Sequence, residues 1–320
     1  MSAIFRSPLA ARLQVFFEMR CAVGRRGEAD FRNLHYLDRF LTRRLVQGEA
    51  ITTEIVSEWI TSMSHLSPGT RVNRVSILRQ FCRYLKHFDK RTCEVPRNCL
   101  PRRVRLAPHI YSRAEVRSLM AAARCIGPRG SLRPELLATL LGLLFATGLR
   151  ISEALSLSLG DVDLERRLLV VQRTKFKKSR YVPLSESTTM ALARFMRWRA
   201  ALKYPEDLSA FVFMSPKGGH YGKSAITRLF LKLARSLGIR GPKGDRGPRI
   251  HDFRHSFAVH RLAAWYREDA DMQAKLPILS TYLGHTTLIG TQVYLQATAE
   301  LLEQVSRRFR KSAPAAVLAA

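Results

Sequence analysis

Four short motifs along the chain contain charged and aromatic residue types that could carry out chemistry. Arginine suits a phosphate group because its planar guanidinium donates two parallel hydrogen bonds to one anion. His251 lies three residues before Arg254, so the two side chains would lie on one face of a helix. The chemistry-bearing residues, in chain order, are Arg150 and Glu153 in motif 146–154, Lys175 in the cationic segment 174–179, His251 and Arg254 in motif 251–257, His285 at the end of motif 282–285, and Tyr294.

The charge of the whole chain indicates the class of partner. The 320 residues contain 54 lysines and arginines against 25 acidic residues, a formal net charge of +29. Such a surplus causes self-repulsion, which a polyanionic partner would neutralise with release of counterions. Arginines outnumber lysines 42 to 12, although a bias of the source proteome could contribute to that ratio. Nucleic acid is the predicted partner.

Cysteine content and hydropathy exclude other classes. The five cysteines are odd in number and form no C-x-x-C pair, so neither a disulfide framework nor a zinc ribbon is indicated. No run of 18 uncharged apolar residues and no cleavable leader pattern is present, so we predict a cytoplasmic protein without a membrane span.

The first 105 or so residues are predicted to be helical, with apolar spacing near 8–20, 31–46 and 53–62. A fourth helix is indicated behind Thr70, interpreted as a cap, by apolar residues at a spacing of three to four. The other face of this helix is cationic and predicts contacts to DNA phosphates, a solvated face being the alternative. The residues of this face are Arg71, Arg74, Arg79, Arg83 and Lys86.

Periodicity fails over about 94–109, where prolines and arginines predict an interdomain linker. Beyond it we expect helices over 114–125, 132–145 and 151–157, a turn at Thr147-Gly148, and a basic β-hairpin over 167–184. More helices are expected to about residue 310. The expected fold class is mainly α with a small β-sheet, in two domains, 1–105 and 110–320.

The four motifs, in this order in a basic chain, resemble the tyrosine recombinase (phage integrase) family of site-specific DNA recombinases. The resemblance covers about 110–310. Residues 1–105 are similar to that family's core-binding domain in length, helicity and charge. The resemblance implies a helical core-binding domain and an α+β catalytic domain that enclose double-stranded DNA. It also implies a homotetramer on two DNA sites, strand exchange through a Holliday junction, and no metal or other cofactor. The long segment between Arg254 and His285 looks more like that of integrases of mobile elements.

The resemblance also implies roles for single residues. Tyr294 matches the nucleophile that forms a 3′-phosphotyrosyl link, and its phenol, with a pKa of about 10, needs a base. Guanidinium groups would stabilise the charge that grows on the phosphate oxygens. By position, Arg150 and Arg254 match the phosphate-binding arginines, His251 a proton-transfer group, His285 a phosphate hydrogen-bond donor, Lys175 the general acid and Glu153 an orienting acid.

The sequence leaves several alternatives open. Lys177 and Lys178 compete with Lys175 as the general acid and are otherwise expected to contact DNA. Tyr282 and Tyr266 are the nearest rivals of Tyr294. His251, His255 and His260 could instead form a metal site, although the glutamate of a zincin motif is missing. Other functions left open are a type IB topoisomerase-like enzyme, a non-catalytic DNA-binding regulator and a metal-dependent nuclease.

Overall fold

The computed structural model describes residues 5–23, 27–45, 50–100, 107–128, 130–172, 179–216 and 218–284. The chain divides into two compact units, Met1–Leu106 and Ala107–Ala320. The linker expected at about 94–109 overlaps this division. Within the described ranges no helix is both long and apolar enough to cross a membrane.

The first unit consists of helices packed around one apolar core. They are α1 (Ala10–Ala22), α2 (Gly27–Arg44), α3 (Thr53–Ser62) and α4 (Pro68–Leu85), close to the predicted segments. Leu13, Leu37, Trp59 and Phe81 lie in the core and expose at most 5% of their surface. In α4 the buried residues Val75, Leu78, Phe81, Cys82 and Leu85 recur every three to four positions and form one stripe, which explains why the apolar pattern located this helix.

The start of α4 differs from its prediction. The N-cap is Ser67, whose hydroxyl accepts a hydrogen bond from the Thr70 backbone N–H at 3.3 Å, so Thr70 lies inside the helix. Pro68 occupies the first helical position, where no backbone N–H is needed. The interpretation of Thr70 as the cap was therefore wrong by three residues, because proline fixes the helix start after Ser67.

The second unit is built around α6 (Leu132–Thr147), whose residues are apolar on nearly every face. Such a helix is stable only when surrounded, and α6 packs against α5 (Arg113–Arg124), α8 (Glu186–Ala201) and α10 (Asp252–Arg267). The remaining helices are α7 (Ile151–Leu155), α9 (Lys223–Ser236) and α11 (Met272–Leu283).

A small antiparallel sheet completes the second unit, in the order β1 (Val162–Asp163), β2 (Leu168–Val171), β3 (Arg180–Pro183). Leu169 of β2 is in register with Val182 of β3, and both side chains are fully buried. The predicted hairpin is confirmed for its two strands. β1 was not predicted, because two residues are too few to produce a periodic pattern. The fold class, mainly α with a small sheet, is confirmed.

Candidate active site

Two helix ends form the frame of the site. Gly148 is the C-cap of α6 and Gly284 the C-cap of α11, both in the left-handed conformation, with φ of 63° and 66°. Glycine adopts this conformation without the steric penalty of a Cβ atom. At Gly148 a Cβ would also lie 2.6 Å from the Phe257 ring. Each helix therefore ends sharply, with its last carbonyl groups and the negative end of its dipole directed into the site.

Three arginines donate to these carbonyl groups, each from a different element. Arg254, in the first turn of α10, donates to the oxygens of Gly148, at 3.0 Å, and Leu283. Arg150, immediately before α7, donates to the Gly284 oxygen at 3.2 Å. Arg180 of β3 donates through Nε to the Tyr282 oxygen at 2.8 Å. The last three residues at the end of α11 thus each accept from a separate guanidinium.

Glu153 joins two of these arginines. Its carboxylate accepts from Nη1 of Arg150 at 2.7 Å and from the backbone N–H of Arg150 at 2.9 Å. Arg180 donates to both oxygens of the same carboxylate, at 3.2 and 2.8 Å. Burial alone would raise the pKa of Glu153, but Arg180 and then Arg150 outweigh it and lower this pKa to about 2. Glu153 is therefore ionised at neutral pH.

The exposure of the two predicted phosphate-binding arginines differs. The side chain of Arg150 is 23% exposed, whereas Arg254 as a whole residue is 2% exposed. Arg150 is therefore the more accessible to an anion, and Arg254 is held almost completely buried by the carbonyl groups that it contacts.

His251 lies at the N-cap of α10, where its carbonyl accepts from the Arg254 N–H at 3.1 Å. α10 begins at Asp252, and His251, with φ of −71° and ψ of −20°, keeps helical backbone angles directly before it. A shared face for His251 and Arg254 stays a prediction. Burial, followed by the charges of His255, Arg254 and Arg150, lowers the pKa of His251 to about 4. The imidazole is consequently neutral at pH 7, the state in which it can accept a proton.

Five predicted functional residues lie outside the described residues, namely Lys175, Lys177, Lys178, His285 and Tyr294. Among the rival nucleophiles, Tyr282 stacks on Phe257 with ring centroids 5.3 Å apart. Burial raises the pKa of Tyr282 to about 12, which opposes formation of a phenolate. Tyr266 is half-buried and packs against the apolar cluster formed by α10 and α11. Both tyrosines thus have packing roles.

The cations of α4, predicted to contact DNA, have different surroundings. Arg79 donates to the backbone oxygens of Val95, at 3.0 Å, and Pro96, at 2.6 Å. Lys86 forms an ion pair with Glu94 at 2.7 Å. These two side chains therefore contact the segment that follows α4.

The other three α4 cations differ in exposure. Arg83 is exposed, and Arg71 and Arg74 are half-buried. The guanidinium carbon of Arg74 lies 3.8 Å from the centre of the Tyr36 ring, a cation–π contact. The α4 face is therefore not uniform, and its role in DNA binding stays a prediction.

Arg180 is the residue of this site that the sequence prediction missed. It is one of 42 arginines, and none of the four motifs contains it. A signal was present, because Arg180 and Val182 are two apart in a strand and so face the same side. Val182 is fully buried, so an inward-facing arginine beside it indicates a buried ion pair.

Comparisons with known proteins agree with this geometry. Residues 111–300 match the phage integrase family. The chain is 36% identical over 303 residues to "Putative integrase/recombinase y4rB" of Sinorhizobium fredii, covering 93% of this chain and 96% of that protein. It is 30% identical over 311 residues to tyrosine recombinase XerD of Rhizobium meliloti, and the match covers 92% of this chain and 94% of that protein. The integrase of transposon Tn1549 in complex with transposon right end DNA shares the fold, with a TM-score of 0.68 and 17% identity. The match covers 95% of this chain and 99% of that one.

Proposed function

The chain belongs to the phage integrase family of tyrosine recombinases, and we propose that it cleaves and rejoins DNA through a 3′-phosphotyrosyl intermediate formed by Tyr294. Membership makes the protein a tyrosine-type DNA strand transferase of site-specific recombination. One observation supports the mechanistic proposal: Arg150 and Arg254, from two distant motifs, both donate to the end of α11, directly before His285 in the sequence. Glu153 holds Arg150, and His251 lies near enough to both arginines for their charges to lower its pKa.

In the proposed cleavage step the Tyr294 oxygen attacks the scissile phosphorus in line. The bond from phosphorus to the 5′-oxygen breaks, and that oxygen leaves with a proton from Lys175. Negative charge grows on the non-bridging oxygens, where Arg150 and Arg254 act as fixed cations. Because their guanidinium groups are already oriented by carbonyl and carboxylate partners, little reorganisation is needed when that charge develops.

His251 receives the phenolic proton in this scheme. Its pKa of about 4 keeps the imidazole neutral at pH 7, so one of its ring nitrogens is unprotonated and can accept the proton. His285 would donate a hydrogen bond to the phosphate. No step requires a metal ion or ATP, since the phosphotyrosyl link retains the energy of the broken phosphodiester for rejoining.

DNA is the proposed partner. The net charge of +29 supports it, and the similar Tn1549 integrase is seen with transposon DNA. We propose that Arg71, Arg74, Arg83, Lys177 and Lys178 contact the DNA backbone, with smaller contributions from Arg79 and Lys86, whose charges already contact the 94–99 segment. Cleavage of two sites would take place in a homotetramer, with exchange through a Holliday junction.

A covalent-trap experiment tests the proposal. Wild-type protein and Tyr294→Phe are incubated in EDTA with nicked duplexes from the DNA that flanks the gene, and the products are separated on a denaturing gel. A protein–DNA adduct with wild type and none with Tyr294→Phe is the expected result. An adduct of normal yield with Tyr294→Phe would assign the nucleophile to another residue.

A second assay separates recombination from DNA relaxation. Two differently labelled duplexes that carry the mapped site are mixed with wild-type protein. Recombinant strands that join both labels are expected. Relaxation of a supercoiled plasmid without exchange between labelled duplexes would favour the topoisomerase-like alternative.

A further inference from the structure

Arg180 occupies an unusual position for a charged residue. It is the first residue of β3, and its side chain is only 11% exposed. In the sequence it follows the cationic segment 174–179, which contains Lys175. A buried arginine requires partners for most of its donors, so its contacts indicate what it does.

Every nitrogen of the Arg180 guanidinium has an acceptor. Nη1 and Nη2 donate to the two oxygens of Glu153, a bidentate pair that fixes the carboxylate in rotation as well as in position. Nε donates to the Tyr282 oxygen at 2.8 Å. One planar group therefore connects β3, α7 and the end of α11.

The fit around Arg180 is close. A Cβ atom at Gly284 would lie 3.0 Å from Nη1 of Arg180, and the φ of Gly284 is 66°. A glycine at this place therefore meets two requirements at once, the left-handed end of α11 and the space for the guanidinium. His285 follows Gly284 directly, so the orientation of this end sets where the chain leaves α11.

We infer that Arg180 is a positioning residue for strand transfer, which fixes Glu153, and through it Arg150, and orients the end of α11 from which the chain continues to His285 and Tyr294. This inference rests on the proposed function. Arg180 acts through other residues and contacts no reacting atom. Lysine could not replace it fully, because one ammonium group cannot donate in this planar, three-nitrogen geometry.

The role predicts a change in the pH dependence of cleavage. Among the described residues, the charged side chains that contact Glu153 are Arg150, next to its own helix, and Arg180 of β3, while α11 contributes backbone carbonyl groups nearby. Burial raises the pKa of Glu153, and without Arg180 only Arg150 would lower it, so the pKa of Glu153 should rise. Cleavage by an Arg180 variant should then decrease as the pH falls towards 5, where wild type keeps Glu153 ionised.

The test uses the full chain with Arg180→Gln, Arg180→Lys and the control Arg124→Gln, which removes an arginine paired with Glu135 at 3.0 Å on the surface of the same unit. DNA affinity and the single-turnover rate of adduct formation are measured at pH 5 to 8 with a nicked site. We expect Arg180→Gln to lower the rate about 10- to 100-fold at pH 7, with affinity within about threefold of wild type and a steeper loss of rate at acidic pH. Arg180→Lys should retain an intermediate rate, and Arg124→Gln the wild-type rate.

The possible outcomes are distinct. A wild-type rate and pH profile for Arg180→Gln would overturn the inference alone. The fraction of unfolded protein is measured by circular dichroism in the same buffer. A rate that falls only in proportion to this fraction would also overturn the inference, because Arg180 would then be needed for folding and not for positioning. Absence of an adduct with wild type would overturn the proposed function and this inference together.

Discussion

The two units each present a group of arginines, and the two groups differ in how they are fixed. On α4 the cations are exposed or half-buried; Arg74 contacts the Tyr36 ring, while Arg79 and Lys86 contact the segment that follows the helix. At the end of α11, Arg150 and Arg180 share the buried carboxylate of Glu153, and together with Arg254 they contact successive carbonyl groups.

This difference separates two uses of positive charge. An exposed cation attracts DNA at every stage of the reaction equally, so it contributes to affinity and to salt dependence. A fixed cation in a buried network acts most strongly where charge develops, so it contributes to the rate. We therefore expect substitutions in the two groups to change different measured quantities.

The largest effect is expected from Arg254→Ala. The change leaves the oxygens of Gly148 and Leu283 without this donor, and it removes a cation from the proposed phosphate site. Adduct formation should fall at least about 100-fold, and the free energy of unfolding of the second unit by about 2–4 kcal/mol. Single-turnover cleavage and urea unfolding measure the two effects. Arg261→Ala, an exposed position on the same helix, is the control, and an equal loss with it would refute the distinction.

Glu153→Gln tests the buried network at the end of α11 through the pH dependence of stability. The pKa of Glu153 is lowered to about 2, so its ionised form stabilises the fold above the ordinary value of 4.5 and this stabilisation is lost as the pH falls towards 2. Wild type should exceed Glu153→Gln in free energy of unfolding by about 2–3 kcal/mol at pH 6, and the difference should shrink below pH 4.5. Urea unfolding at several pH values measures it. A difference independent of pH would contradict the ion-pair account.

Arg83→Ala tests the other group. One lost phosphate contact should weaken DNA binding about 3- to 10-fold and reduce the slope of log affinity against log salt by about 0.9. The cleavage rate at saturating DNA should not change. Arg44→Ala is the matched control, because its guanidinium forms an ion pair with Glu58 at 2.7 Å. If both variants leave the salt slope at the wild-type value, Arg83 does not contact a phosphate.

The smallest effect is expected from Ser67→Ala, which removes the N-cap of α4. The free energy of unfolding of the first unit should fall by about 1 kcal/mol. Cleavage at saturating DNA should stay at the wild-type rate, since none of the residues proposed for strand transfer is in α4. Thermal unfolding followed by circular dichroism measures the change, with Ser67→Asp as the cap-retaining control. A loss of cleavage rate with Ser67→Ala would remove the separation between the two groups.

The sequence predicted most helices because each buries one stripe, as Leu13 and Phe16 do in α1. It also predicted the turn at Gly148, since a glycine after an apolar helix is a common helix end. It did not predict β1 or the Ser67 cap, because a two-residue strand has no period and several residues near 67–70 can cap a helix. Arg180 was missed for a different reason. Its partners, Glu153 and the Tyr282 carbonyl group, are 27 and 102 residues away, and local patterns do not encode such contacts.

We propose that the arginines at the end of α11 act on the rate, while the cations on α4 act on affinity. The most direct test measures the dissociation constant and the single-turnover rate of adduct formation for Arg150→Ala and Arg83→Ala side by side, with the same nicked site and salt. We expect Arg150→Ala to lower the rate at least about 100-fold with nearly unchanged affinity. We expect Arg83→Ala to weaken binding about 3- to 10-fold with an unchanged rate. Equal losses of affinity in both variants, with the rate at saturation unchanged, would contradict it.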